Sequence, residues 1–272
     1  MIPRHIWRAV SKGDPSLPLV AKVSSKTARR TRKNYLAALS VLQTLKHPNL
    51  IVLHHHQETT GWFYLFLEYH PRPTQTLTQT LQSHPLTDPL VLKIALQVSC
   101  VLAYMHQHGW GHRDIKPCNI LFNPQTEHVT VLDLGFAAPT EELCEDFTGS
   151  PLYAAPEVLA FERYSVPKSD SWSLGIVLYQ LLHFGSYPFM GDTLEGLTES
   201  VLHDPLEFPK EDTCSELKIQ LQSITAKLLC KSPNERAYAV QVKEMLTSLS
   251  NQQQQLDFEE NNPYNFYIKS SQ

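Results

Sequence analysis

Apolar and polar residues alternate with two different periods along this chain. Residues 17–23, "LPLVAKV", are apolar, short and β-branched, which predicts a strand. Over residues 27–46, Tyr35, Leu36, Leu39, Leu42 and Leu45 fall near helical spacing, behind a basic front of Arg29, Arg30, Arg32 and Lys33. That predicts an amphipathic helix ended by Pro48. "LIVLHHHQE" and "GWFYLFLEY" read as two strands about a turn at Thr59–Gly61. "HPRPTQTLTQT" has two prolines and no apolar run, which predicts a linker. Beyond it, residues 88–108, 169–184, 216–230 and 237–249 carry helical periodicity, and "GIVLYQLL" is apolar almost all round, as a deep core helix would be. A small β-rich unit with one helix thus precedes a larger helical one, an α+β arrangement. The polar, Gln-rich end 251–272 predicts a disordered tail, which includes the aromatic residues Tyr264, Phe266 and Tyr267.

Composition narrows this picture. With 272 residues, 42% of them apolar, the chain can bury a sizeable core in one domain or a two-lobed unit. A net charge of −4 argues against a nucleic-acid partner. Five scattered cysteines without a CxxC pair predict free thiols in a reducing compartment. No signal core precedes residue 17 and no apolar run suggests a bilayer span, so a cytoplasmic or nuclear protein without a transmembrane segment is expected. The triplet His54–His56 sits in a predicted strand, where neighbours point to opposite faces, so it is not expected to chelate one ion.

The chemistry concentrates in "GHRDIKPCNILF", 111–122. Asp114, Lys116 and Asn119 place a carboxylate, a cation and an amide within six positions. "VLDLGF" follows at 131–136, then "GSPLYAAPE" at 149–157, "SDSWSLG" at 169–175, and Arg236. This ordered set resembles the eukaryotic protein kinase family, in its serine/threonine branch, from about Ile6 to Leu249. The resemblance implies a bilobal fold with a small lobe over 1–70 and a large lobe over 71–250. It implies ATP and Mg²⁺ or Mn²⁺ as cofactors and a protein Ser or Thr hydroxyl as acceptor. Asp114 would orient the hydroxyl and take its proton, Lys116 would face the transferred phosphate, and Asn119 and Asp133 would be the metal ligands. Lys22, in "LVAKV", would contact the ATP phosphates. Ala21 and Ile6 would lie over the adenine, Leu121 beneath it, and the backbone from Glu68 to His70 would meet its edge, with Leu67 as gatekeeper. Ser150 would contact Asp114 and Lys116. Glu157 would pair with Arg236, and Asp170 would hold the "HRD" backbone. Arg113 would bind an anion of the activation segment, which Glu145 or Asp146 could supply in place of a phosphate.

Two departures bear on activity. No GxGxxG phosphate loop occurs, and in the register set by "IWRAV" its third glycine falls on Arg4 and its second on Met1. The small lobe is therefore expected to be degenerate or truncated at its start. The helix residue expected to pair with Lys22 is Ala38 rather than Glu, and no Asp or Glu occurs between Asp14 and Glu58. Two functions stay open: an ATP-dependent protein kinase, and a pseudokinase acting as a binding module.

Overall fold

The computed structural model describes residues 5–27, 30–83, 85–210 and 213–260. Met1, Arg4, Arg29 and the tail aromatics Tyr264, Phe266 and Tyr267 lie outside the described residues. The chain opens with β1 (His5–Val10), β2 (Pro18–Ser25), α1 (Thr31–Thr44), β3 (Leu53–Glu58) and β4 (Trp62–Glu68). The four strands form an antiparallel sheet in the order β1-β2-β4-β3. α1 packs on it through Tyr35, Ala38, Val41 and Leu42, with the Tyr35 ring stacked on Phe63 at 4.4 Å. His54, His55 and His56 are exposed on β3, and no cluster of three metal-ligating side chains occurs among the described residues.

The segment expected to be a linker builds structure at its end. β5 (Gln75–Thr76) leads straight into α2 (Leu77–Ser83). The Thr76 hydroxyl accepts from the Gln79 N–H at 3.3 Å, and the Gln79 amide oxygen accepts from the Thr76 N–H at 3.0 Å. This reciprocal Thr-x-x-Gln pairing satisfies two otherwise orphaned donors and starts the helix.

The large lobe is built around α3 (Asp88–Gln107) and α5 (Val166–Leu182). α3 is long and apolar enough to cross a membrane by length and composition, yet ten of its residues, Val91 to Met105, are buried in the protein core. Between these helices lie β6 (Trp110–Gly111), β7 (Ile120–Asn123), β8 (His128–Val131), β9 (Ala138–Pro139) and the four-residue α4 (Pro156–Leu159). α6 (Leu194–His203), α7 (Glu216–Leu228) and α8 (Ala239–Glu260) complete the lobe. α6 was not expected from the sequence; its Thr193 hydroxyl caps the helix by accepting from the Gly196 N–H at 3.0 Å. α8 also corrects an expectation, because residues 251–260 continue the helix instead of leaving it. Gln and Leu are good helix formers, and neither Gly nor Pro interrupts that run. Residues 261–272 lie outside the described residues.

Glu157 on α4 and Arg236 tie the far side of this lobe together. Their carboxylate and guanidinium form two hydrogen bonds, 2.6 and 2.9 Å long. Both side chains are buried, and Arg236 also donates to the carbonyls of Cys230, Lys168 and Lys231. Removing one partner leaves a charge buried without its counter-ion. Glu157→Gln is expected to destabilise the protein by about 3–5 kcal/mol, read as a lower midpoint in urea unfolding at neutral pH.

Candidate active site

The "GHRD" turn owes its shape to one buried carboxylate. Asp170 on α5 is fully buried and accepts from the backbone N–H of His112 and of Arg113, each at 2.7 Å. His106 Nε2 lies 2.8 Å from the same carboxylate. Burial pushes the Asp170 pKa up, but the His106 hydrogen bond and the backbone N–H of His112 hold it below the ordinary carboxylate value. Gly111 lets this contact form: a Cβ there would sit 2.1 Å from Val166 Cγ1 and 3.0 Å from Asp170 Oδ2. Arg113 is held in the left-handed region, at φ 66°, a conformation that a non-glycine residue adopts only when its surroundings impose it.

His112 fixes the next step. It is fully buried, its Nδ1 accepts from the Asp114 N–H at 3.2 Å, and its Nε2 reaches the Leu132 carbonyl at 2.8 Å. It thereby sets Asp114 against the residue that precedes Asp133. Asp114 is buried and gathers three partners. Lys116 Nζ lies 2.8 Å from its Oδ2, Ser150 Oγ donates to Oδ1 at 3.1 Å, and Asn119 Nδ2 donates to Oδ2 at 2.8 Å. Lys116 also donates to Ser150 Oγ at 2.6 Å. Gly149 lets the activation segment come this close: its φ is +100°, and a Cβ would lie 2.5 Å from the Arg113 carbonyl oxygen.

Across the cleft, Lys22 Nζ meets Asp133 Oδ1 at 2.6 Å. Asp133 has φ 60°, and its side chain accepts from the Gly135 N–H at 3.3 Å. Lys22, Asp114, Lys116, Asp133 and Ser150 all line one cavity of about 770 Å³, together with Ala38 in the middle of α1 and Arg30 just before that helix. The oxygens of Asp133 and Asn119 suit Mg²⁺, which takes one or two protein oxygens and completes its octahedron with water and phosphate. The Asn119 amide nitrogen is already used on Asp114, which leaves its oxygen as the atom to offer.

The residues expected around the adenine are not gathered in the same way. Ala21 is a correction: neighbouring strand residues point to opposite faces, and Ala21 lies on the outer face of the sheet with Trp7, Val23, Tyr64 and Phe66, away from Lys22. Val20, two positions from Lys22, shares its face and stands opposite Leu67. Ile6 is paired with Lys22 but is 68% exposed. Glu68 and His70 line a separate hollow of about 330 Å³ behind the strands, where the Glu68 carboxylate accepts from the Val52 N–H at 3.0 Å. The backbone N–H of Glu68 is taken by the Val52 carbonyl. Leu121 lies half-buried on β7 beside Thr76.

Of the two carboxylates proposed for Arg113, Asp146 reaches it, at 2.5 Å, while Glu145 pairs with Arg163. Tyr164 Oη lies on the same guanidinium, and Lys33 of α1 is 3.7 Å from Asp146. Sequence reasoning missed His106, His112 and Tyr164, whose partners lie 20 to 64 positions away.

A family model described as a protein kinase domain matches residues 9–246. Among curated relatives, the chain is 28% identical over 270 residues to "Serine/threonine-protein kinase ATG1" of Debaryomyces hansenii. It is 32% identical over 238 residues to "Serine/threonine-protein kinase ATG1a" of Arabidopsis thaliana, and 32% identical over 229 residues to "Myosin light chain kinase 3" of Homo sapiens. These matches cover 83%, 85% and 83% of this chain but 30%, 37% and 28% of the relatives, so the chain spans about a third of their length.

The Asp146 pair carries a pH signature. Burial pushes its pKa up, but the Arg113 charge and hydrogen bond, with Thr148 and Lys33, bring it below the ordinary carboxylate value. A depressed folded pKa adds stability that is present above the unfolded value, about 3.9 for Asp, and is lost as pH falls through the folded one. Because the carboxylate is partly exposed, the gain is expected to be about 1 kcal/mol or less. The stability difference between wild type and Asp146→Asn, measured by urea unfolding, should be constant from neutral pH down to about pH 5 and shrink below about pH 4.

Proposed function

This chain belongs to the protein kinase family, and we propose that it transfers the γ-phosphoryl group of ATP to a Ser or Thr hydroxyl of a protein. The observation that carries the reading is the hydrogen-bonded set of Asp114, Lys116, Ser150 and Asn119, facing the Lys22–Asp133 pair across one cleft. In the step, the acceptor oxygen forms a bond to the γ-phosphorus, the bond to the ADP oxygen breaks, and the hydroxyl proton passes to Asp114. Lys116 stands beside Asp114 as the cation nearest the moving phosphoryl group, and its ammonium holds Ser150 in place. Lys22 is the cation for the remaining phosphates. Asn119 and Asp133 would hold Mg²⁺ or Mn²⁺, which when bound offsets phosphate charge. Lys116 supports assignment to the Ser/Thr branch, as do the names of the relatives. The free cysteines support a reducing, cytoplasmic setting.

A second reading, a pseudokinase that binds partners without efficient transfer, is favoured by Ala38 in place of a carboxylate and by Arg4 at the position expected for a phosphate-loop glycine. The two separate in one experiment. Phosphate transfer from labelled Mg·ATP is measured as autophosphorylation and onto a generic basic protein, beside Asp114→Asn. Transfer that falls by about 10²- to 10⁴-fold in the mutant is expected, the range for loss of a positioned general base. Folded wild type that transfers no more than the mutant would leave the binding module as the function.

A further inference from the structure

Lys22 lies in a part of the cleft with little negative charge to spare. Its side chain is 17% exposed, and the described residues give it one ion-pair partner, Asp133. The helix that covers it offers none. α1 carries no carboxylate, and at the position facing the cleft it presents Ala38, which is 3% exposed. The helix is nonetheless docked. Asn34, one turn earlier, donates its amide to the Gly135 carbonyl at 3.2 Å, with its oxygen and nitrogen placed to suit that contact. Neutral hydrogen bonding thus fastens α1 to the turn after Asp133, while the charge that Lys22 needs comes from Asp133 itself, on the other lobe.

That leaves one carboxylate with two cationic claims on it. We propose that Asp133 is the positioning partner of Lys22, and that a divalent cation and the Lys22 ammonium compete for it. Occupation by the ion frees Lys22 to move onto the nucleotide phosphates. The proposal rests on the reading of this cleft as a metal–nucleotide site. Its physical basis is direct. Mg²⁺ and Mn²⁺ demand close oxygen contacts, at about 2.0–2.2 Å, and an ammonium 2.6 Å from the same oxygen repels the ion. The phosphates then replace Asp133 as counter-ion of Lys22. Breaking the pair is required by the ion alone and by the nucleotide alone, but only once when both bind. Ion and nucleotide must therefore favour each other reciprocally, over and above their affinity in solution. A carboxylate on α1 would remove this linkage, because Lys22 would keep a partner when the ion arrives.

The test needs no catalysis. Mn²⁺ binding to nucleotide-free protein is followed by the loss of the free-ion paramagnetic resonance signal. Lys22→Met removes the competitor, and Mn²⁺ should then bind about tenfold tighter than to wild type, within the usual 5- to 150-fold span of site coupling. Ala38→Glu supplies a second carboxylate and should tighten Mn²⁺ similarly, whereas Ala38→Gln, of the same size and neutral, should match wild type. In the Ala38→Glu background, adding Lys22→Met should change little. If the buried Glu prevents folding, the comparison of wild type with Lys22→Met stands alone. Equal Mn²⁺ affinity in wild type and Lys22→Met would overturn the competition, and so would undiminished binding in Asp133→Asn, which would place the ion elsewhere. Metal competition as expected, with no ATP binding by calorimetry in any variant, would uphold the pair and defeat the kinase reading instead.

Discussion

Everything in the cleft depends on a carboxylate that never reaches it. Asp170 sits at the centre of the large lobe with no solvent exposure, and a charge in that position is costly unless its lone pairs are met. Two backbone N–H groups and one imidazole meet them. In doing so they bend the chain at His112 and Arg113 into a shape it would not hold alone, with Arg113 in the left-handed region. From that bend, Asp114 points one way and the Arg113 guanidinium the other. A single buried anion therefore orients both the candidate base and the cation that anchors the activation segment.

The two lobes are joined by charge in a way that reflects what α1 lacks. Its basic front reaches the activation segment through Lys33 and Asp146, and its body touches the turn after Asp133 through the neutral Asn34. The acid that links the sheet to the large lobe is Asp133, bonded to Lys22 of β2. Among the described residues, the large lobe thus provides the carboxylate of each of these two cross-lobe ion pairs, and the small lobe provides the cation.

Much of this was legible in the sequence, for identifiable reasons. Asp114, Lys116, Asn119 and Ser150 fall in short stretches whose spacing alone brings them together once the loop is formed, and the helices of the large lobe have strong periodicity. What escaped depended on distant contacts or on signals passed over. His112 looks like a spacer until its Nε2 is seen to meet the Leu132 carbonyl, and nothing local to His106 predicts a contact 64 positions on. Ala21 was misplaced although the rule was available: a residue adjacent to Lys22 in a strand cannot share its face. The Thr76–Gln79 cap was likewise readable in a stretch dismissed for its prolines. The Gln run after 250 shows that polarity alone does not end a helix, since exposed Gln keeps its backbone bonds and loses little side-chain freedom.

The contact between Arg113 and Asp146 has a bearing on time as well as on shape. An anion that belongs to the polypeptide is present from the moment the chain folds, in one copy per molecule, and no second enzyme adds or removes it. It loses its charge only in acid well below the pH of a cell. The Arg113–Asp146 contact is therefore built into the sequence, and forming it needs no added group.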